Sequence, residues 1–182
     1  MKTPEELIEH YVQAHKNQTF SKGTALLKHI PEIARLTKLL DCKTAMDYGC
    51  GKAWFWNIPH WKAILDDQVQ SVKLYDPAIP EYSLVPEGRY DMVICTDVLE
   101  HVHPDQSDDF LKTLFLYTRR VLFINVSTKP ARKTFDDGTN LHINLRSRSQ
   151  WDKKLMDIRN WYGEKYKSFP ALVVRYDEEI GS

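Results

Sequence analysis

Residues 47–53 read Asp-Tyr-Gly-Cys-Gly-Lys-Ala, and a short apolar run, 44–48, leads straight into them. A strand that runs into glycines leaves the backbone bare, so a ligand can approach it closely. Three ligand classes use such a turn. A nucleotide phosphate loop requires G-x-x-x-x-G-K-[ST]. Here Ala53 follows Gly51-Lys52, and Met46 stands where the first glycine belongs. A dinucleotide turn requires G-x-G-x-x-G. Gly49 and Gly51 fit, but the third position is Trp54, too bulky for close packing of helix on strand. The remaining pattern is acid-x-Gly-x-Gly-x-small, met by Asp47, Gly49, Gly51 and Ala53. Asp76 ends the next apolar run, about 25 residues beyond the glycines, near the spacing expected of a ribose-binding acid.

Further chemistry-bearing residues follow the later apolar runs. Asp97 stands at the end of 90–98, His101 and His103 come just after it, and Lys129, Arg132 and His142 come after 119–127. Ligands of open α/β sheets bind at the carboxyl ends of strands, so these residues are expected to line a ligand pocket. His142, in "TNLHINLRS", is the first candidate for a catalytic group, and His101 is a pocket residue and the second candidate. His101, His103 and Asp105 are too closely spaced for a convincing metal site, and Pro104-Asp105 reads as a helix entry. No metal ligand set is expected. Arg132, Arg146 and Arg148 could form an anion-binding mouth, which implies a small acceptor carrying a phosphate or carboxylate. Cys50 and Cys95 are expected to line the pocket or pack behind it rather than act as nucleophiles.

The elements that must position these groups are legible from periodicity. Thr3-Pro4-Glu5-Glu6 is a helix start, and Leu7, Tyr11 and Ala14 continue it. A second helix is predicted over 24–40, kinked or split at Pro31. Strands are predicted at 44–48, 71–76, 90–98 and 119–127, all apolar enough to be covered on both faces. Helices are predicted at 105–120 and at 149–166, the latter capped by Ser149. Pro59 shortens or bends the helix after the glycines. Residues 77–89 carry three prolines and cannot hold a normal crossover helix. Asp137-Gly138 marks a turn, and 166–179 closes the chain as one strand, or as a pair interrupted at Pro170. The alternation predicts an α/β fold with a mainly parallel sheet in a single domain, 1–182. Residues 1–40 lie outside the core of 41–182. They form either a lid over the ligand or two helices covering a sheet face. In the lid case Phe20, Ser21, Lys22 and Gly23 could hinge or touch the ligand.

These motifs together resemble the class I S-adenosylmethionine-dependent methyltransferases. "LDCKTAMDYGCGKA" resembles the first motif of that family, with Ala53 replacing the usual third glycine. "VKLYDPA" resembles the second, and "YDMVICTDVLEHV" the fourth-strand motif. The likeness covers about residues 40–128 and is closest to small bacterial and phage members. It implies a Rossmann-like methyltransferase sandwich with one trimmed crossover and an N-terminal helical lid. It implies S-adenosyl-L-methionine as cofactor, a nucleoside joined to an amino acid through a positively charged sulfur. Asp47, Gly49, Cys50, Gly51 and Ala53 would approach it from the turn, Asp76 and Pro77 from the ribose side, and Thr96, Asp97 and Val98 from the third strand. Between the second and third motifs the family usually has an extra helix and strand. Here Tyr82–Leu84 is the candidate remnant, a place where adenine could rest.

Other classes are set aside or kept as rivals. Lys plus Arg and Asp plus Glu each total 25, so the chain of 182 residues is formally neutral and lacks a broad charge-driven grip on duplex nucleic acid. No [Asn/Asp/Ser]-Pro-Pro-aromatic stretch of DNA amino-methylating enzymes follows the third strand, so no DNA partner is expected. Three cysteines form no C-x-x-C, and no apolar run approaches a membrane span, which predicts a soluble cytoplasmic protein. Three rivals remain: a protein that only binds the cofactor, one that cleaves it, and an RNA methyltransferase using the basic cluster.

Overall fold

The computed structural model describes residues 3–16 and 24–177. Five strands form one sheet: β1 (Thr44–Tyr48), β2 (Ser71–Tyr75), β3 (Tyr90–Thr96), β4 (Thr118–Ser127) and β5 (Ala171–Asp177). Their order is β2-β1-β3-β4-β5, and every pairing is parallel. The apolar runs alternate faces as a period of two requires. Met92, Ile94, Val121 and Phe123 pack on one side with Ile33 and Leu36. Val93, Cys95, Leu122 and Ile124 pack on the other with Leu111, Trp151 and Leu155. Both faces are therefore covered, which explains why the strands read as continuous apolar runs.

The described residues include five α-helices: α1 (Pro4–Lys16), α2 (Ile30–Leu39), α3 (Trp61–Ile64), α4 (Ser107–Tyr117) and α5 (Arg148–Tyr166). The helix predicted over 24–40 is split: a 3₁₀ turn, Ala25–His29, precedes α2, and Pro31 lies in the first turn of α2, where its missing N–H does no harm. After the glycines the chain manages only a 3₁₀ turn, Phe55–Asn57, and the four residues of α3, with Pro59 between them. The proline-rich segment holds a single 3₁₀ turn, Pro80–Tyr82, so the crossover is trimmed as predicted. The final segment is one strand, with Pro170 just before it. Residues 178–179 and Phe20, Ser21, Lys22 and Gly23 lie outside the described residues. No helix among the described residues is long and apolar enough to cross a membrane.

The cap of α5 differs from the prediction. Ser147, not Ser149, caps it. Ser147 Oγ accepts from Gln150 N at 3.3 Å, and the Gln150 side-chain oxygen accepts from Ser147 N at 2.8 Å. This reciprocal pair needs a Gln or Glu three residues after the cap, and only Ser147 has one. Ser147→Ala is expected to destabilise the fold by about 1 kcal/mol and lower Tm by about 2–4 °C. A thermal melt followed by circular dichroism checks this; an unchanged Tm would remove the cap from the stability account.

Candidate functional site

β1 and β2 run in register from Thr44 opposite Ser71 to Tyr48 opposite Tyr75, so Gly49 and Asp76 leave the sheet side by side. β3 pairs with the other side of β1, which makes the gap between β1 and β3 the point where the strand order reverses. Crevices at such points bind ligands. Gly49 adopts φ +84°, and a Cβ there would lie 2.3 Å from Cγ2 of Val98. Only glycine fits both the conformation and the closeness of Val98. The amides of Gly49, Cys50, Gly51 and Ala53 are engaged within the protein. Gly49 N and Cys50 N donate to Tyr75 O at 2.7 and 3.1 Å, and Ala53 N donates to Cys50 O at 2.9 Å. Gly51 N donates to Asp76 Oδ2 at 2.9 Å. A turn with four of its five amides turned to protein acceptors is not arranged as a phosphate cradle, which agrees with the failed nucleotide motifs.

The carboxylates have distinct environments. Asp76 braces both sides of the turn: Oδ2 accepts from Gly51 N, and Oδ1 accepts from Ala78 N at 2.9 Å. Asp47 is buried, and its Oδ2 accepts from Trp56 Nε1 at 2.7 Å. Burial, with a smaller contribution from the nearby Asp76 charge, pushes its pKa up to about 7 against the opposing Trp56 bond. Asp97 sits at φ +54°, which ends β3 two residues before the predicted Val98. Its amide donates to Asn125 O, and Asn125 Nδ2 donates to its Oδ1. Burial raises the Asp97 pKa. The Cys50 thiol is pushed up by burial and by Asp47 and Asp76, and the Cys95 thiol by burial, so neither is poised as a thiolate.

These groups open onto a cavity of about 980 Å³ at the carboxyl edge of the sheet. Asp76, Gly49, Asp97, Ser127 and Asp177 bring all five strand ends to its wall. A volume of this size accommodates a drug-sized ligand. Asp47, Cys50, Gly51, Pro77, Thr96 and Val98 also line it. Ala53 does not. It is 1% exposed, at φ +50°, and packs in the core with Phe55 and Trp56, so it shapes the turn from behind rather than touching the cavity. Tyr82–Leu84 is likewise off the wall, and Pro77 and Ala78 are the nearer surface. From α1, Leu7, Ile8, Tyr11 and His15 line the cavity, so this helix lies over the site rather than merely covering a sheet face.

The chain has a Rossmann-like methyltransferase fold. It is similar to the 1,6-didemethyltoxoflavin-N1-methyltransferase of Burkholderia thailandensis, solved with 1,6-didemethyltoxoflavin and S-adenosylhomocysteine, at a TM-score of 0.56 and 16% identity over 87% of this chain and 80% of that one. It is also similar to DhpI, solved as a complex with SAH, at a TM-score of 0.50 and 16% identity over 86% of this chain and 89% of that one. No protein-family model matches the chain, and no curated protein does. At such identities the likeness is one of fold.

The predicted acceptor residues Asp97, His101, His103, Lys129, Arg132 and His142 all reach the cavity wall. Arg146 and Arg148 do not. Arg146 Nε donates to Asn144 Oδ1 at 3.0 Å with its guanidinium over Trp151, and Arg148 lies over Tyr176 beside Asp152. The basic wall is therefore Lys129, Arg132 and Lys133. His103 caps the 3₁₀ turn Pro104–Gln106 by accepting from Asp105 N. The rings of His101 and His142 meet edge to face at 4.9 Å. His101 Nδ1 donates to Leu141 O at 2.9 Å, and His142 Nδ1 donates to Lys129 O at 2.6 Å. A carbonyl only accepts, so each neutral ring carries its proton on Nδ1 and its lone pair on Nε2. Burial, then the charge of His142, lowers the His101 pKa to about 4.

Sequence reasoning missed the groups that hold this wall together. Asn140 Oδ1 accepts from Ala131 N and His142 N, stitching the turn around Asp137-Gly138 to the histidine. Asn144 N donates to Glu100 O, and its Nδ2 donates to Leu99 O and Ser107 Oγ. Tyr11 OH donates to His101 O and Leu141 O, tying α1 to the same wall. Glu100 is fully buried beside the histidines, with Oε1 accepting from Ser127 N at 3.0 Å. Burial and the Asp97 charge raise its pKa to about 8. Its signal in sequence was an acid next to His101 just past a strand end.

Proposed function

We propose that the protein is an S-adenosylmethionine-dependent methyltransferase acting on a small acceptor. The observation that carries this reading is the turn at residues 49–53, whose Gly49, Cys50, Gly51 and Ala53 amides are internally engaged while Gly49, Gly51 and Asp76 still wall a ligand-sized cavity at the reversal of strand order. Such a site suits a ligand that needs clearance and carboxylate partners but no anion cradle. The two structural neighbours, both solved with S-adenosylhomocysteine or SAH, support the same choice. When bound, S-adenosylmethionine supplies a methyl group on a positively charged sulfur. Asp76 accepts from the ribose hydroxyls through the second lone pairs of its two oxygens. Asp47 offers charge to the ammonium end. Gly49, Cys50, Gly51, Pro77, Thr96, Asp97 and Val98 form the surrounding wall. α1 acts as the lid, excluding water from the acceptor end.

His142 holds its proton on Nδ1 and takes the acceptor proton at Nε2 where the acceptor must lose one, with His101 orienting it from the edge. Lys129, Arg132 and Lys133 favour an acceptor bearing a phosphate or carboxylate. The three buried, unpaired cysteines suit a cytoplasmic setting. Incubation of the purified protein with a metabolite extract and methyl-labelled cofactor tests the activity. Label in a small anionic molecule is expected. Label in RNA, or cleavage of the cofactor with no labelled acceptor, contradicts the proposal. Once the acceptor is identified, Arg132→Ala is expected to raise its KM by about tenfold with kcat little changed. An unchanged KM would remove Arg132 from acceptor binding.

A further inference from the structure

Glu100, His101 and His142 come from two separate segments, yet each offers one ligand atom within 4.8 Å of the others. Glu100 is 0% exposed, and its Oε2 has no hydrogen-bond partner. A buried carboxylate oxygen without a partner is unfavourable. A ring nitrogen of each imidazole lies within 4.8 Å of a carboxylate oxygen of this residue. Both imidazoles are oriented as metal-binding histidines are: Nδ1–H is tied to a backbone carbonyl, Leu141 O or Lys129 O, and the lone pair is on Nε2. Asn140 and Asn144 fix the loop that carries His142 against the segment that carries Glu100.

We propose that Glu100, His101 and His142 form a binding site for one divalent first-row transition-metal ion. Two imidazoles and one carboxylate suit zinc, manganese, cobalt or ferrous iron rather than magnesium or calcium, which prefer all-oxygen ligands. Tetrahedral metal–ligand bonds of about 2.1 Å place neighbouring donors roughly 3.4 Å apart, a separation that falls inside the 4.8 Å within which these three atoms lie. His101 and His142 line the cavity, so an ion with three protein ligands keeps open positions towards it. An oxygen of the acceptor can fill such a position, where the ion lets it release its proton to water in the cavity; its bond to the methyl carbon then forms as the methyl–sulfur bond breaks and neutral S-adenosylhomocysteine leaves. His142 then contributes through the ion rather than as a base. The ion site stands on its own geometry; its use on an acceptor rests on the methyltransferase reading.

The test titrates the metal-stripped full chain with Co²⁺, following visible absorption, and with Zn²⁺ by calorimetry. One ion per chain, with imidazole-type cobalt absorption, is expected. His142→Ala is expected to weaken binding by more than about tenfold. Glu100→Gln provides a second variant with the same expected direction. His60→Ala, at an exposed histidine outside the cavity, is expected to bind as the wild type. Absence of cobalt absorption and zinc heat in the wild type would overturn the proposal. So would a His142→Ala variant that binds with wild-type affinity. S-adenosylhomocysteine is titrated into the same material: its binding without metal binding removes the ion site alone, whereas metal binding without it supports the ion site and removes the cofactor reading.

Discussion

Asp76→Ala is expected to weaken S-adenosylhomocysteine binding by at least about 100-fold, a loss of roughly 2.7 kcal/mol or more. Two effects combine. The carboxylate is the proposed partner of the ribose hydroxyls, and charge-assisted hydrogen bonds are the stronger kind. It also accepts from Gly51 N and Ala78 N, so its removal leaves two backbone donors on the cavity wall without partners. The turn then loses the brace that ties the end of β1 to the end of β2. Asp76→Asn keeps one acceptor oxygen and is expected to fall between the wild type and alanine. Calorimetry with S-adenosylhomocysteine, on variants whose circular dichroism confirms folding, reads the effect. Wild-type affinity in folded Asp76→Ala would take this residue out of the cofactor site.

Asp47→Asn is expected to make the protein more stable at pH 8, by roughly 2–4 kcal/mol, while weakening the cofactor. The native pKa of about 7 lies above the ordinary 3.8, because burial disfavours the charged form. The native state therefore holds a proton that the unfolded chain releases. The stability this proton confers is complete below the ordinary value, declines as pH rises from about 4, and is lost through about 7. Asparagine keeps a carbonyl oxygen for Trp56 Nε1 without the buried charge. Urea unfolding at pH 5 and pH 8 is expected to show the variant's advantage growing with pH. Cofactor affinity should move oppositely in the wild type, rising from pH 6 to pH 8 as Asp47 ionises and attracts the ammonium, and be flat in the variant. An advantage that shrinks with pH would contradict the assignment.

The sheet was readable from sequence because each strand is a short, dense apolar run, and burial on both faces demands that pattern. The first four strands, the trimmed crossover and a break at Pro31 follow from apolar runs and prolines, which act locally, whereas the same signals leave open one strand or two at the end. The turn and its two carboxylates were readable for the same reason: glycine, acid and strand end lie within a few residues. What failed was non-local. Arg146 and Arg148 are close in sequence to His142, but Asn144 and Trp151 hold Arg146 away from the cavity, and Tyr176 and Asp152 engage Arg148. Ala53 fits the motif by type, yet its left-handed backbone turns it into the core. Glu100 gains its meaning only when the loop bearing His142 folds back over it, through contacts made by Asn140 and Asn144. Ser149 and Ser147 are equally good caps by type, and the partner at Gln150 decides between them.

The most direct measurement is calorimetric titration of the folded, purified chain with S-adenosylmethionine and S-adenosylhomocysteine, beside ATP and a nicotinamide dinucleotide. Saturable heat with the two sulfur nucleosides at one site per chain, and none with the phosphate-bearing ligands, is the predicted result. Heat with ATP or the dinucleotide, and silence with the sulfur nucleosides, would contradict the account.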